Sequence, residues 1–342
     1  MRAFITGVAG TALTDAERAF LRETQPWGLI VFARNVGAAD TLRRLIGDFR
    51  ETIGHEAPVL VDQEGGRVQR LGPPHWPKYP PAAVCGRLYE RDHARGIAAA
   101  SLGGRLIAAD LYAVGIDVDC APVADLPVAE ADPIIGDRAF GKEPKQVIDL
   151  AGAFARGLME GGVLPVVKHS PGHGRATADS HKKLPVVTAD RATLAATDFA
   201  AFRGLVDLPM AMSAHVVFAS IDPVAPATAS AAIVHDVIRG SIGFAGLLMS
   251  DDISMGALSG TLGERTRAAL AAGCDIVLHC NGDLAEMQSV AAAAPLLQGE
   301  AARRAAAALA RRQPPAALDI AAARAEFAAL LHGLWQPAQG WA

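Results

Sequence analysis

Short apolar runs, each closed by glycine or a polar residue, recur at residues 3–5, 28–32, 58–61, 116–119, 163–167, 209–213, 246–250 and 275–279. Continuous apolar runs of this length, bounded by turn residues, mark strands buried on both faces. Between them the apolar positions take helical spacing, over residues 15–23, 39–51, 91–113, 144–160, 191–205, 231–241 and 262–272, and a further alanine-rich pair follows from Leu284. Strand followed by helix, repeated around the chain, predicts a parallel sheet.

That sheet is either open and doubly wound or closed into a barrel, and the polar residues discriminate. A barrel gathers them at the C-terminal end of nearly every strand, whereas an open sheet concentrates them at one switch point. Here Arg34 and Asn35 follow the second run, Asp62, Gln63 and Glu64 the third, Asp125 the fourth, and Lys168 and His169 the fifth. His215 follows the sixth, Asp251 and Asp252 the seventh, and His279 and Asn281 stand at the eighth. The pattern predicts an α/β protein with a (β/α)8 TIM barrel. No Gly-x-Gly-x-x-Gly opens a helix after the first strand, which argues against a dinucleotide fold.

No linker or composition shift divides the chain, so residues 1–342 read as a single domain with additional C-terminal helices from about residue 300. Residues 301–331 are helical in pattern apart from Pro314 and Pro315 and are expected to pack around the outside of the barrel; the tail from Gln336 is expected to fray. Hydrophobic residues make up 51% and aromatics 5%, which makes the core aliphatic. With 32 basic against 36 acidic residues and no basic patch, nucleic acid is excluded as a partner. No stretch approaches the roughly 18 apolar residues of a membrane span, and the N-terminus is broken too early for a signal peptide, so a cytoplasmic protein without a membrane partner is expected. Cys85, Cys120, Cys274 and Cys280 show no Cys-x-x-Cys spacing and no His-x-His occurs, so no disulfide framework, metal site or other cofactor is called for; Cys120 reads as a buried free thiol.

The stretch richest in chemistry runs over residues 168–181, with Lys168, His169, His173, Asp179 and His181 spaced by Pro171, Gly172 and Gly174. Histidine exchanges protons near neutrality, and Asp179 is placed to orient His181. After the third strand, Gly65 and Gly66 allow a loop to wrap closely on a small ligand. There Asp62 can accept two hydroxyl hydrogen bonds from a sugar diol or cap the next segment, and Arg67 or Arg70 can supply neutralising charge. Arg138, on a glycine-bounded loop, can reach a ligand oxygen or pair with Asp137. Asp251 and Asp252 cannot both face a barrel mouth, because neighbours on a strand point oppositely; alternation alone leaves open which one does. His55, His75, His93 and His235 stand without partners nearby in the sequence.

Taken together, four motifs resemble the single-domain bacterial β-N-acetylglucosaminidases of glycoside hydrolase family 3. They are Asp62-Gln-Glu-Gly-Gly-Arg-Val-Gln-Arg70, Ile135-Gly-Asp-Arg-Ala-Phe140, Lys168-His-Ser-Pro-Gly-His-Gly174 followed by Asp179-Ser-His181, and Ser250-Asp-Asp-Ile-Ser-Met255. One position departs, Ser170, where the family usually carries Phe. The resemblance implies a retaining hydrolase of terminal N-acetylglucosamine, with Asp251 as nucleophile, His181 as acid/base and Asp179 as its dyad partner. It further implies that Asp62, Arg70, Arg138, Lys168 and His169 bind the sugar, while His173, Asp252 and Arg67 support the loops. The implied partner is a small carbohydrate, an N-acetylglucosaminyl muropeptide of cell-wall recycling, handled by a monomer in the cytoplasm. Two alternatives stay open: a phosphorylase on the same scaffold, since a histidine does not repel phosphate as a carboxylate would, and a sugar-binding homologue without turnover.

Overall fold

The structure, a computed structural model, describes residues 1–336. Eight parallel strands close into a barrel: β1 (Arg2–Thr6), β2 (Pro26–Val31), β3 (Val59–Val61), β4 (Val118–Asp119), β5 (Leu164–Ser170), β6 (Met210–Ser213), β7 (Leu247–Asp252) and β8 (Ile276–His279). Each pairs with its sequence neighbours, and β1 joins β8 through Phe4 opposite Val277. The predicted runs coincide with these strands, and the fold is the expected TIM barrel.

Apart from β4, whose second residue is the buried Asp119, the strands are apolar on both faces below the mouth, and the two faces meet different partners. Ile5, Ile30, Leu60, Val118, Leu164, Val166, Met210, Met212, Leu247, Met249, Ile276 and Leu278 fill the barrel. Their neighbours Phe4, Leu29, Val31, Val59, Val61, Val167, Ala211, Leu248 and Val277 face the helical ring. With a side-chain period of two, the inward face continues past the last apolar layer to Phe32, Asp62, Lys168, Asp251 and Cys280, all of which line the cleft at the barrel's C-terminal mouth.

Several predicted elements need correction. The helix expected over 91–113 is found as His93–Tyr112, capped by the Asp92 side chain, which accepts the Arg95 N–H, and a separate helix that the pattern did not predict, Ala83–Arg91, precedes it. The 191–205 segment splits into Arg191–Ala196 and Asp198–Arg203, and 231–241 becomes a wide π-type helix over Ile233–Ser241. The C-terminal helices do not simply surround the barrel. Gly299–Leu309 closes its N-terminal end, where Ala305 and Ala308 join the interior cluster and Arg304 reaches Asp275 at 2.9 Å. Ile320–Leu330 packs on His93–Tyr112, with Phe327 against Gly103. Apart from Gln336, the predicted frayed tail lies outside the described residues. Cys85, Cys120, Cys274 and Cys280 are free and buried.

Candidate active site

The loop after β3 folds back as a small hairpin, Gln63–Gly65 against Val68–Gln69. Gly65 and Gly66 adopt φ of 90° and 57°, and a Cβ at Gly65 would stand 2.3 Å from the Pro80 carbonyl, so glycine is required there. The buried Gln63 side chain accepts the N–H groups of Arg70 and Leu71 at 2.9 and 3.0 Å. The hairpin therefore returns Arg70 to Asp62, where its guanidinium donates to Oδ2 at 2.9 Å. Its other face lies over the Phe32 ring, 5.0 Å from the centroid.

Lys168, at the inward end of β5, is nearly inaccessible and bridges two carboxylates, Asp62 at 2.8 Å and Glu64 at 2.7 Å. Glu64 in turn receives the Arg138 guanidinium through two 2.8 Å hydrogen bonds. Three cations thus enclose two carboxylates, Glu64 buried and Asp62 partly so. Burial alone would raise both carboxyl pKa values, but Lys168 and Arg70 outweigh it at Asp62 and hold that group far below the usual carboxylate range. Arg138 and Lys168 do the same at Glu64, lowering it to about 2. The alternative Asp137–Arg138 pair does not form: Asp137 pairs with Arg67 at 2.5 Å, and Arg67 also donates to the carbonyls of Pro133 and Ile134, bracing the loop that carries Arg138.

His169 stands next in the wall. Its Nδ1 lies 2.7 Å from Asp125 Oδ2, and Asp125 Oδ1 accepts the His173 N–H at 2.7 Å. Asp125 is inaccessible; burial pushes its carboxyl up, yet the two histidines prevail and its pKa falls below the ordinary value. His169 Nε2 is directed toward the Arg138 guanidinium, 3.5 Å away.

Across the mouth, β7 settles which aspartate faces in. Asp251 follows Leu247 and Met249 on the inward face. Asp252 is consumed by the turn beyond it: Oδ1 accepts N–H groups from Ser254 at 3.0 Å and Cys280 at 3.3 Å, and Oδ2 accepts the Ser254 hydroxyl at 2.7 Å. Asp251 accepts the Asp252 N–H at 2.8 Å, and among the described residues no side chain hydrogen-bonds to its carboxylate. Burial pushes Asp251 up, but His215, His169, that N–H and Lys168 together lower its pKa below the usual value, so it is ionised at neutral pH. His215 also steadies the strand end: Nε2–H donates to the Asp252 carbonyl at 2.9 Å, and Nδ1 meets Thr228 Oγ1 at 2.8 Å.

The loop after β5 carries the remaining pair. Asp179 Oδ1 is 2.8 Å from His181 Nδ1 and also accepts the His181 N–H at 2.9 Å. The His181 side chain is 63% exposed at the cleft rim, whereas Asp179 stands behind it at 18%. With Nδ1 engaged, Nε2 is the nitrogen left to exchange a proton with a ligand.

The structure therefore brings Asp62, Arg70, Arg138, Lys168, His169, His181 and Asp251 to one cleft of about 310 Å3, with Asp179 immediately behind. Not every strand end contributes. Arg34 and Asn35 bind the carbonyl of Val8, and His279 and Asn281 turn to Glu286. Sequence reasoning gave no role to Glu64, although it sits inside the Asp62–Arg70 motif, and noted Asp125 and His215 only as strand-end polar residues. Asp119 was missed altogether: inaccessible below the cleft, it accepts the Gln63 N–H at 2.9 Å, and burial pushes its carboxyl up to about 8.

Residues 5–312 match the glycosyl hydrolase family 3 N terminal domain. A beta-hexosaminidase of Thioalkalivibrio sulfidiphilus is 42% identical over 278 residues, 80% of this chain and 78% of the relative. One of Alkalilimnicola ehrlichii is 40% identical over 279 residues, 80% and 79% of the two chains. Among solved structures, NagZ from Neisseria gonorrhoeae in complex with N-trifluoroacetyl-D-glucosamine superposes with a TM-score of 0.87 at 31% identity, covering 97% of this chain and 98% of that one. Beta-N-acetylhexosaminidase from Beutenbergia cavernae superposes with a TM-score of 0.74 at 27% identity, covering 97% and 94%.

Proposed function

Since the chain belongs to glycosyl hydrolase family 3, we propose that it is a retaining exo-β-N-acetylhexosaminidase that releases terminal N-acetylglucosamine from muropeptides during cell-wall recycling. The observation that carries this reading is the pairing, in one sugar-sized cleft, of an ionised carboxylate, Asp251, to which no side chain among the described residues hydrogen-bonds, with an imidazole backed by a carboxylate, His181 and Asp179. The names of the beta-hexosaminidase relatives and the N-trifluoroacetyl-D-glucosamine held by the gonococcal neighbour support the sugar.

In the first step an Asp251 oxygen attacks the anomeric carbon while the bond to the leaving oxygen breaks and His181 Nε2–H protonates that oxygen. Asp179 holds the ring through Nδ1 and stabilises its charged form. In the second, water attacks the same carbon, His181 takes its proton, and Asp251 departs as carboxylate. Asp62, Arg70, Arg138, Lys168 and His169 orient the terminal sugar through its hydroxyls. The barrel and its C-terminal helices act as one unit, a cytoplasmic monomer; among the described residues no helix is long and apolar enough to cross a membrane.

A substrate comparison tests the reading. An aryl N-acetyl-β-glucosaminide should exceed the matching glucoside by at least about 100-fold in kcat/KM, and NMR should find the β-anomer released first. Equal rates, or release of the α-anomer, would overturn it. In phosphate buffer free sugar is expected; accumulation of sugar 1-phosphate would favour the phosphorylase. His181→Ala should slow a substrate with a poor leaving group by roughly 10²–10⁴-fold while sparing a dinitrophenyl glycoside, whose leaving group needs no proton; equal losses on both would remove His181 from the acid role.

A further inference from the structure

The loop bearing His181 is docked on the turn that follows the β7 aspartates. Ser180, between Asp179 and His181, is 3% exposed. Its carbonyl accepts the Ala257 N–H at 3.1 Å, and the His181 carbonyl accepts the Gly256 N–H at 3.3 Å. Its hydroxyl lies 3.0 Å from Nε2 of the buried His173, which belongs to the β5 turn. The turn beneath is itself anchored to β7. Asp252 holds Ser254 through its carboxylate and Met255 through its carbonyl at 3.1 Å. Arg265, on the next helix, ties down the carbonyls of Ile253 and Met255 at 2.9 and 3.2 Å.

Gly256 is exposed, so its packing contributes little to the core. A Cβ there would nevertheless fall 2.9 Å from the His181 carbonyl oxygen and 3.1 Å from that of Lys182, both backbone atoms with no rotamer by which to withdraw. The closest approach of the two loops therefore depends on the missing side chain.

We propose that residues 252–258 are a template that sets the spacing between His181 and Asp251, with Gly256 and the His173–Ser180 contact as positioning residues for the acid/base. The proposal rests on the reading of His181 as the acid. One segment leaves the nucleophile's strand and receives the acid's loop, so the two groups share a reference frame even though the histidine rides on a loop. A displacement of about 1 Å at such a pair can cost on the order of 10²-fold in rate.

The test uses the full chain with Gly256→Ala, Ser180→Ala and His181→Ala, each assayed on a dinitrophenyl N-acetyl-β-glucosaminide and on a disaccharide with a poor leaving group. Gly256→Ala is expected to lower kcat/KM on the disaccharide at least about 10-fold and on the activated glycoside less than about 3-fold, with an unchanged thermal midpoint. Ser180→Ala should act in the same direction, and Ser180→Thr, which keeps the hydroxyl, should restore most of the loss. Purely structural damage would slow both substrates together. If His181→Ala discriminates between leaving groups while Gly256→Ala and Ser180→Ala do not, the template is wrong and the acid assignment stands. If His181→Ala itself fails to discriminate, the acid assignment falls and takes the template with it.

Discussion

Asp251→Asn is expected to lower turnover by on the order of 10⁴-fold or more, with the fold intact by circular dichroism. The change is nearly isosteric and removes a carboxylate whose only hydrogen bond among the described residues is a backbone N–H from Asp252, so little structure depends on the charge. The amide cannot form the glycosyl ester through which a retaining reaction passes. Asp252→Asn, one position along, is expected to be far milder, because the amide oxygen still accepts from Ser254 and the Ser254 hydroxyl can reverse its role toward the amide nitrogen. A further readout separates lost chemistry from lost shape. In Asp251→Ala, added azide should enter the vacated space, restore cleavage of an activated glycoside and yield the α-glycosyl azide. A severe Asp252 variant beside a mild Asp251 variant would exchange the two assignments. Because its neighbours lower the Asp251 pKa below the ordinary carboxylate value, this carboxylate is already ionised in mildly acid solution, and loss of activity between pH 5 and 7 should not follow its titration.

Lys168→Met should damage stability and activity together. The ammonium is the shared counter-ion of Asp62 and Glu64, and removing one member of a buried ionic cluster typically costs about 3–5 kcal/mol, because the charges left behind are neither paired nor solvated. Arg70 and Arg138 still hold one carboxylate each, which places the expectation at the lower end of that range. The pH dependence gives the sign. Asp62 and Glu64 both have folded-state pKa values depressed below their unfolded ones, Glu64 to about 2. Their contribution is therefore complete above the unfolded carboxylate pKa and is lost as pH falls through the folded value. The difference in unfolding free energy between native protein and variant should be largest near neutrality and shrink as acid protonates carboxyls that no longer need a counter-ion. Urea titrations at pH 7, 5 and 3 measure it. A gap that widens toward pH 3 would contradict the cluster's assigned charge state. In kcat/KM the loss should reach roughly 10²–10³-fold, since Lys168 both faces the cleft and holds Asp62 in place.

Much of the site was legible before the fold was known, because the chemistry of a barrel lies at its strand ends and those ends are marked by abrupt changes from apolar to polar. The change from Val167 to Lys168, and from Val61 to Asp62, located two walls of the cleft, and Asp179 two residues before His181 announced a pair that the structure places at 2.8 Å. Glu64 was harder to find: its partners Lys168 and Arg138 are remote in the chain, and nothing in a lone glutamate signals a bidentate arginine. Asp125 and His215 were visible as strand-end residues, but their work is to hold His169 and the Asp252 carbonyl, contacts between different strands. The helix Ala83–Arg91 escaped the sequence pattern because it is only 9 residues long and a single capping residue, Asp92, separates it from His93–Tyr112.

By itself the sequence determined the alternation of strands and helices, the barrel class and the inventory of groups at the mouth, since apolar runs, turn residues and strand-end polarity are local properties. The tertiary structure alone decided which side of each strand faces inward. Parallel strands enclosed by helices are apolar on both faces, so Leu247, Leu248 and Met249 read alike, and only barrel closure turned Leu247, Met249 and then Asp251 toward the axis. It likewise decided that Gly299–Leu309 plugs the foot of the barrel, and that the loop of His181 rests against Gly256, because both depend on contacts between segments distant in the chain whose geometry no local pattern encodes.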